Sequence, residues 1–219
     1  MLIAFNKPYG VLSQFTSTEG KRTLADLVSV RDVYPAGRLD FDSEGLLLLT
    51  DEGALQHAIA APDNQLVKRY WALVEGIPDA ASLEYLASGV DIGTGDARYR
   101  ARPASVAAIR APSIEARVPP IRWRAEIPTS WLEIGITQGK NRQVRRMTAV
   151  IGHPTLRLIR VGIGTLDLIE LGLSPGAWRN IAPAALGLAS RSAPEVDGFN
   201  GKLPEQLLST GSRKRRYWG

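Results

Sequence analysis

The chain has 219 residues, no cysteine and only two histidines, His57 and His153. The absence of cysteine excludes disulfides and thiolate chemistry, and two histidines far apart in the sequence form no metal-ligand pattern. No apolar run is long enough to span a bilayer, and no basic segment precedes an apolar one at the N-terminus. We therefore expect a protein that has no disulfide, no bound metal, no signal peptide and no membrane partner.

Basic residues are concentrated in the second half of the chain. Residues 1–100 hold 9 Lys and Arg against 14 Asp and Glu, whereas residues 101–219 hold 18 against 8. Neutralisation of phosphates dominates the affinity of proteins for nucleic acids, so this half is a candidate nucleic-acid surface. A solvated basic surface that aids solubility is the alternative.

Hydrophobic patterning predicts helices and strands that mix without a regular βαβ rhythm, which indicates an α+β fold. The predicted helices are residues 23–30, 54–60, 80–88 and 143–151. The predicted strands are two within residues 2–13, then 46–49, 70–75, 101–109, 122–127, 131–137 and 156–161, with 101–109 and 122–127 joined as a hairpin. Apolar periodicity stops near residue 190. We therefore expect one globular domain over residues 1–189 and a flexible basic tail over residues 190–219.

The most informative segment joins a charged loop to a run of leucines. Residues 46–49 are all leucine and are bounded by Gly45 and Gly53, which is typical of a buried strand. Arg38 and Asp40 therefore lie at a fixed place at the mouth of this strand, as the residues of many active-site loops do. The alternative is that Asp40 and Asp42 are turn or cap residues, a common role for aspartate.

Two further islands of charged and aromatic residues follow, one over residues 68–76 and one over residues 139–147. The second of these places Lys140, Arg142, Arg145 and Arg146 within seven positions at a predicted loop-to-helix junction. Backbone amides at a helix start already favour anions, and guanidinium groups match phosphate oxygens. Basic side chains oppose the dipole at a helix N-terminus, which favours a functional role over a solvated basic face.

Taken together and in this order, these motifs resemble the RsuA/RluB/RluE/RluF group of pseudouridine synthases over roughly residues 2–185. The matching segments are Asn6–Val11, Gly37–Asp40 with the strand that ends at Thr50, Lys68–Tyr70, Asn141–Met147 and Arg160–Gly162. We expect the chain to start at the catalytic region, without an S4 RNA-binding domain in front of it. It is therefore most similar to the shorter RluE type within that group.

The resemblance implies a role for each matching residue. Asp40 is the implied nucleophile that helps to cleave the C1′–N1 bond of a target uridine, and Arg145 is its implied counter-charge. Tyr70 and Leu158 are implied to line the pocket for the flipped base, while Arg38 fills the gap left in the base stack. We also expect RNA contacts from a set of basic residues. They are Lys140, Arg142, Arg146, Arg160 and, in the tail, Arg213, Lys214, Arg215 and Arg216.

The resemblance further implies the pseudouridine synthase catalytic fold. This fold has a central, mixed, mostly antiparallel, bent sheet in two lobes, with flanking helices and a cleft between the lobes. The implied reaction needs no cofactor. We expect a monomeric cytoplasmic enzyme that modifies 23S ribosomal RNA, either free or in an assembling large subunit. The alternatives are a 16S ribosomal RNA pseudouridine synthase, a non-catalytic ribosome-assembly factor of the same fold, and a glycoside hydrolase that pairs Asp40 with a second carboxylate.

Overall fold

A computed structural model describes residues 1–17, 20–61, 64–93, 95–121, 124 and 126–187. Within these ranges the chain forms eleven strands and three α-helices. In chain order they are β1 (Leu2–Lys7), β2 (Tyr34–Pro35), β3 (Glu44–Thr50), α1 (Gly53–Ala60), β4 (Lys68–Glu75), α2 (Ala80–Ser88), β5 (Val90–Ile92), β6 (Tyr99–Ala101), β7 (Ser105–Ile109), β8 (Thr129–Ile136), α3 (Gln143–Val150), β9 (Thr155–Ile163), β10 (Leu166–Asp167) and β11 (Trp178–Asn180). The predicted tail lies outside the described residues.

Nine of these strands form one mixed sheet. Its order is β11-β1-β3-β9-β4-β8-β7, with β10 beside β9 and β2 beside β3. Strands β3 and β9 are parallel, and the other pairs in this sheet are antiparallel. Strands β5 and β6 form a separate antiparallel pair. The predicted α+β fold with a mixed, mostly antiparallel sheet is confirmed.

The leucine run forms β3, which is buried along its whole length. Leu47 and Leu49 belong to the hydrophobic core on one face of the sheet, and Leu46 and Leu48 belong to the core on the other face. All four leucine side chains are fully buried, and each such burial stabilises the fold by about 1.5–3 kcal/mol. An apolar run without alternation is what a strand covered on both faces requires, so the prediction of a buried strand is confirmed.

Close backbone contact joins the start of β3 to β9. Gly45 has φ +103, a conformation that favours glycine, and it faces Arg160 in the parallel register. A Cβ atom at Gly45 would lie 2.8 Å from the backbone nitrogen of Arg160. This approach sets the loop that precedes β3 directly beside the middle of β9, where the late arginine motif lies.

Several sequence-based predictions of local structure are wrong. Of the two strands predicted within residues 2–13 only β1 forms, and the second segment has a single isolated bridge between Leu12 and Thr23. The predicted helix over residues 23–30 is reduced to a 3₁₀ turn at Leu24–Asp26, where the Asp26 carboxylate accepts a hydrogen bond from the Thr23 amide at 2.7 Å. The predicted strand over residues 101–109 is split, because Pro103 has no amide hydrogen to donate to a neighbouring strand. Its first part pairs with β5, while β7 pairs with β8.

The predicted hairpin partner of that strand, residues 122–127, takes no part in the sheet where it is described. Residues 122, 123 and 125 lie outside the described residues, and Arg124, Glu126 and Ile127 belong to no strand. The predicted helices over residues 54–60, 80–88 and 143–151 are confirmed as α1, α2 and α3, each to within one residue at its ends. None of the helices in the described ranges is long and apolar enough to cross a membrane.

Candidate active site

The loop over residues 37–43 is fixed by hydrogen bonds from the turn that follows β1. The Ser13 hydroxyl donates to the Leu39 carbonyl at 2.8 Å and accepts from the Leu39 amide at 3.1 Å. The Gly10 amide donates to the Phe41 carbonyl at 2.9 Å. Asp40 is thus anchored on both sides, while its own side chain stays 36% exposed. A carboxylate on a short, clamped loop at the head of a core strand is positioned with little freedom.

Two arginines of the third island approach this loop, and they do so in an arrangement that the resemblance did not imply. Arg142 donates to both carboxylate oxygens of Asp42, at 2.9 and 2.8 Å, and its Nη1 atom lies 3.7 Å from Asp40 Oδ2. Arg145 donates to the backbone carbonyl of Asp42 at 2.7 Å, and its Nη2 atom lies 3.5 Å from Asp42 Oδ2. The implied Arg145–Asp40 pair is therefore replaced by an Arg142–Asp40 contact.

Backbone geometry explains this exchange of partners. Arg142 is the N-cap of α3 and has a left-handed conformation with φ 50, which places it on the loop side of the helix start. Arg145 lies one turn later, and it is also held by a hydrogen bond to the Thr155 carbonyl at 3.1 Å. Helical spacing alone places both arginines on one face, but it does not decide which carboxylate each one reaches.

Charges around Asp42 define its ionisation. Burial alone would raise the pKa of the Asp42 carboxyl, but hydrogen bonds from Arg142 and the positive charges of Arg145 and Arg142 lower it overall. Burial lowers the pKa of Arg145, although the nearby carboxylates of Asp42 and Asp40 oppose that change. Both carboxylate oxygens of Asp42 are occupied by Arg142, whereas Asp40 has only the longer contact. Of the two aspartates, Asp40 is the one available to a ligand.

Asp40 opens into a cleft with a volume of about 570 Å³. Tyr70 on β4 and Leu158 on β9 supply apolar wall, and their side chains are 7% and 5% exposed. Arg38, Lys140 and Arg142 line the cleft as well, and each of these residues is exposed. Asp40, Tyr70, Leu158 and Arg38, which the resemblance placed in the catalytic pocket, all line this cleft. Arg145 contacts Asp42 and is not among the described residues that line the cleft.

The other predicted RNA-binding residues differ in their accessibility. Lys140 lies over the ring of Tyr99, with its Nζ atom 3.6 Å from the ring centroid. Arg146 is exposed on α3 and donates to Asn141 Oδ1 at 3.1 Å. Arg160 is only 3% exposed, so it does not belong to an open phosphate-binding surface, although it does line the cleft. Arg213, Lys214, Arg215 and Arg216 lie outside the described residues.

Comparison with known proteins identifies the family. Residues 1–150 match the family model described as RNA pseudouridylate synthase. The chain belongs to the RNA pseudouridylate synthase family. Its described domain also resembles a crystal structure of a pseudouridylate synthase, with a TM-score of 0.67 and 24% identity over 85% of this chain and 72% of that one. At that identity the likeness establishes the fold, and the predicted catalytic fold is confirmed.

Two curated relatives are just over half identical to this pseudouridylate synthase over the residues that align. Both are named ribosomal large subunit pseudouridine synthase E. The protein from Vibrio parahaemolyticus is 52% identical over 180 residues, which are 82% of this chain and 73% of the relative. The protein from Xanthomonas campestris pv. campestris is 53% identical over 182 residues, which are 82% of this chain and 94% of the relative. The resemblance to the RluE type is confirmed.

Sequence reasoning missed two buried lysines of this synthase. Lys68 lines the cleft and is 8% exposed; its place two residues before Tyr70 on the same strand was the signal that could have identified it. Lys7 is fully buried behind the loop and donates to the carbonyls of Pro8 and Val11 at 2.9 and 2.8 Å. Its sequence context, Asn6-Lys7-Pro8, resembles a turn and gave no sign of burial. Within the described ranges, no group of three His, Cys, Asp or Glu residues could hold a metal ion.

The burial of Lys7 predicts a specific pH dependence of stability. Burial lowers the pKa of Lys7 from 10.5 to about 7, against the opposing effect of Glu44. Between these two values the unfolded chain binds a proton that the folded chain does not, so the Lys7 contribution to stability increases with pH. It is present above pH 10.5 and is lost as the pH falls to about 7.

We therefore expect the free energy of unfolding of the natural protein, minus that of Lys7→Met, to rise with pH across this range. The slope should be at most about 1.4 kcal/mol per pH unit, the limit for one proton. Urea denaturation of both proteins at a series of pH values measures it. A difference that stays constant across the range would contradict a neutral, buried Lys7.

Proposed function

We propose that this enzyme isomerises a uridine of 23S ribosomal RNA to pseudouridine, with Asp40 as its catalytic carboxylate. The observation that supports the reaction most directly is the position of Asp40. It is clamped at the mouth of a cleft, it is accessible, and it faces the apolar wall of Tyr70 and Leu158. The names of the two relatives that are more than 50% identical over most of the chain support the large-subunit target.

The cleft suits a nucleotide that has left its base stack. Extruding a base costs a few kcal/mol, least where the base is unpaired, and burial of the base against Tyr70 and Leu158 opposes that cost. Arg38 is exposed at the rim of the cleft, where it can occupy the space that the base vacates. Lys140, Arg142 and Arg146 are exposed at the start of α3 and are proposed to contact the RNA backbone.

The proposed chemistry needs one carboxylate beside the ribose. The C1′–N1 bond breaks, the base turns within the cleft, C5 forms the new bond to C1′, and the proton of C5 is finally replaced by one on N1. Asp40 either attacks C1′ and is displaced again when C5 bonds to C1′, or removes a ribose proton and returns it when that bond forms. Both routes require a carboxylate with an unoccupied oxygen. Arg142, 3.7 Å from Asp40, supplies positive charge beside it. Arg145 is proposed to act through Asp42, which it holds in place.

We propose that the enzyme is a monomer. We propose that it acts in the cytoplasm, where it meets ribosomal RNA either free or in an assembling subunit. The basic segment over residues 213–216 remains a proposed RNA contact outside the described residues.

Mapping of pseudouridine in defined transcripts tests the proposed function. The protein is incubated with unmodified 23S and 16S ribosomal RNA, and pseudouridine is located by carbodiimide labelling and primer extension. We expect one new stop in 23S RNA and none in 16S RNA. A stop in 16S RNA alone would refute the large-subunit target. If neither RNA, nor an isolated precursor of the large subunit, becomes modified, the proposed reaction itself is refuted and a binding factor of the same fold is favoured.

A further inference from the structure

Two cations lie together in the wall of the cleft without a carboxylate partner. Arg160 and Lys68 line the cleft and are 3% and 8% exposed. Arg160 Nε donates to the Leu46 carbonyl at 2.7 Å, but its Nη2 atom has no hydrogen-bond acceptor among the described residues. Lys68 Nζ has one long hydrogen bond, to the Thr137 carbonyl at 3.3 Å. Neither side chain forms an ion pair within the described part of the chain.

Two other arginines of this sheet do have carboxylate partners. Arg157, which is also buried and lies three residues before Arg160 on β9, donates two hydrogen bonds to the Glu44 carboxylate. Arg69, the neighbour of Lys68 on β4, donates to Asp167 at 2.7 Å. Both of these arginines therefore have a carboxylate partner. Lys7, which is also buried, donates to two backbone carbonyls instead. Lys68 and Arg160 have no carboxylate partner in the described part of the chain and incomplete hydrogen bonding, and both line the cleft that contains Asp40.

An unpaired buried cation is expensive, because removing a charge from water without a partner costs several kcal/mol. The two positive charges also act on each other, since burial first and the charge of Arg160 second both lower the pKa of Lys68. Strand pairing holds them together, because Arg160 lies opposite Tyr70, two residues after Lys68. The cost of burying the two charges, and the repulsion between them, decrease when an electron-rich group enters the cleft.

We propose that Lys68 and Arg160 form a subsite that binds the carbonyl edge of the target uracil and stabilises the negative charge of the base after it detaches. The inference rests on the proposed function and extends it from the ribose to the leaving group. When the C1′–N1 bond breaks, both bonding electrons remain on N1, and the charge spreads over N1, O2 and O4 of the base. Preorganised cations are effective donors to such a charge. The charge disappears when C5 bonds to C1′ and the proton of C5 is replaced by one on N1.

This arrangement also separates two tasks within the site. Asp40, with Arg142 beside it, acts at the sugar, while Lys68 and Arg160 act at the base. A detached base must turn without leaving the cleft, and two donors that move little can hold its oxygens in succession, since C=O groups lie on both sides of N3. The apolar side chains of Tyr70 and Leu158 meanwhile cover its faces.

Single-turnover kinetics on 23S RNA provide the first test. We expect Lys68→Met to lower the single-turnover rate by about a hundredfold, the usual effect of removing one donor to a developing charge, without changing the Kd for RNA. Lys68→Arg, which keeps the charge, should recover part of the rate. Arg69→Met is the matched control, because Arg69 is adjacent on β4, does not line the cleft, and should leave the rate unchanged. A loss of RNA affinity at an unchanged rate would assign Lys68 to a phosphate and overturn the proposal.

Binding of free bases provides a second test that does not depend on catalysis. We expect 5-fluorouracil to bind more tightly than uracil at a pH where 5-fluorouracil is ionised and uracil is neutral, as measured by calorimetry. The preference should be lost in Lys68→Met and in Arg160→Lys/Lys68→Met, and kept in Asp40→Asn. Equal binding of the two bases, or tighter binding of inorganic phosphate, would overturn the subsite. Because the measurement uses no RNA, it remains decisive even if no ribosomal RNA is modified.

Discussion

Asp40→Asn should lower the single-turnover rate of pseudouridine formation by at least about a thousandfold, the scale of loss seen when a catalytic carboxylate is removed. The amide keeps the shape of the side chain but neither attacks C1′ nor accepts a proton. The fold should be unaffected, because Asp40 is 36% exposed and its one ion pair among the described residues is the 3.7 Å contact with Arg142. We expect the free energy of unfolding to stay within about 0.5 kcal/mol. Rapid-quench assays and urea denaturation measure the two quantities.

Two further variants make this prediction specific. Asp91→Asn removes a carboxylate outside the cleft that has only a 3.5 Å contact with Arg98, and it should leave the rate unchanged. Asp42→Asn weakens the anchor of Arg142 and Arg145, so it should reduce stability and lower the rate less than Asp40→Asn does. If Asp42→Asn abolishes the reaction while Asp40→Asn leaves it active, the assignment of the two aspartates must be reversed.

Among the proposed variants, Arg157→Met should lower the free energy of unfolding the most. Arg157 and Glu44 are 7% and 6% exposed, and they form two hydrogen bonds of 2.8 Å between β9 and the start of β3. Without the guanidinium, the Glu44 carboxylate remains buried and unpaired. We therefore expect the free energy of unfolding to fall by about 3–5 kcal/mol, as measured by urea denaturation.

The double variant Glu44→Met/Arg157→Met separates loss of the pair from loss of packing. It removes both charges and keeps two side chains of suitable volume, so it should be clearly more stable than Arg157→Met alone. Arg98→Met, which breaks the exposed Arg98–Asp91 pair, is the matched control and should change stability by no more than about 0.5 kcal/mol. Equal losses in the single and double variants would show that the two buried charges do not stabilise each other.

Local sequence signals were sufficient where one segment determines its own structure. Four consecutive leucines in a strand place apolar side chains on both faces, so both faces must be covered. Strand β3 is covered in this way. The helix that follows Arg142 was predicted with its end at the Gly152-His153-Pro154 stop signal, and α3 ends at Val150. The prediction of a hairpin between residues 101–109 and 122–127 is wrong because strand pairing depends on a distant partner. Strand β7 pairs with β8 across an intervening stretch of the chain that contains no strand in its described residues.

The same distinction applies to the site. Motif order predicted the family, and the resemblance then implied Asp40, Tyr70 and Leu158 as pocket residues, because each motif is a property of one segment. The choice of carboxylate by each arginine depends instead on contacts between residues about a hundred positions apart, such as Arg142 with Asp42.

The sequence by itself therefore determined the family to which this protein belongs, and it predicted Asp40 as the carboxylate of the reaction. Only the tertiary structure decided that Arg142 rather than Arg145 lies beside Asp40, and that Lys68 and Arg160 are buried without a counter-charge. The physical reason is that burial and charge pairing are properties of strand register and close backbone approach. The contact between Gly45 and Arg160 brings β3 against β9, and with it the loop of Asp40 against two cations that the sequence places far away.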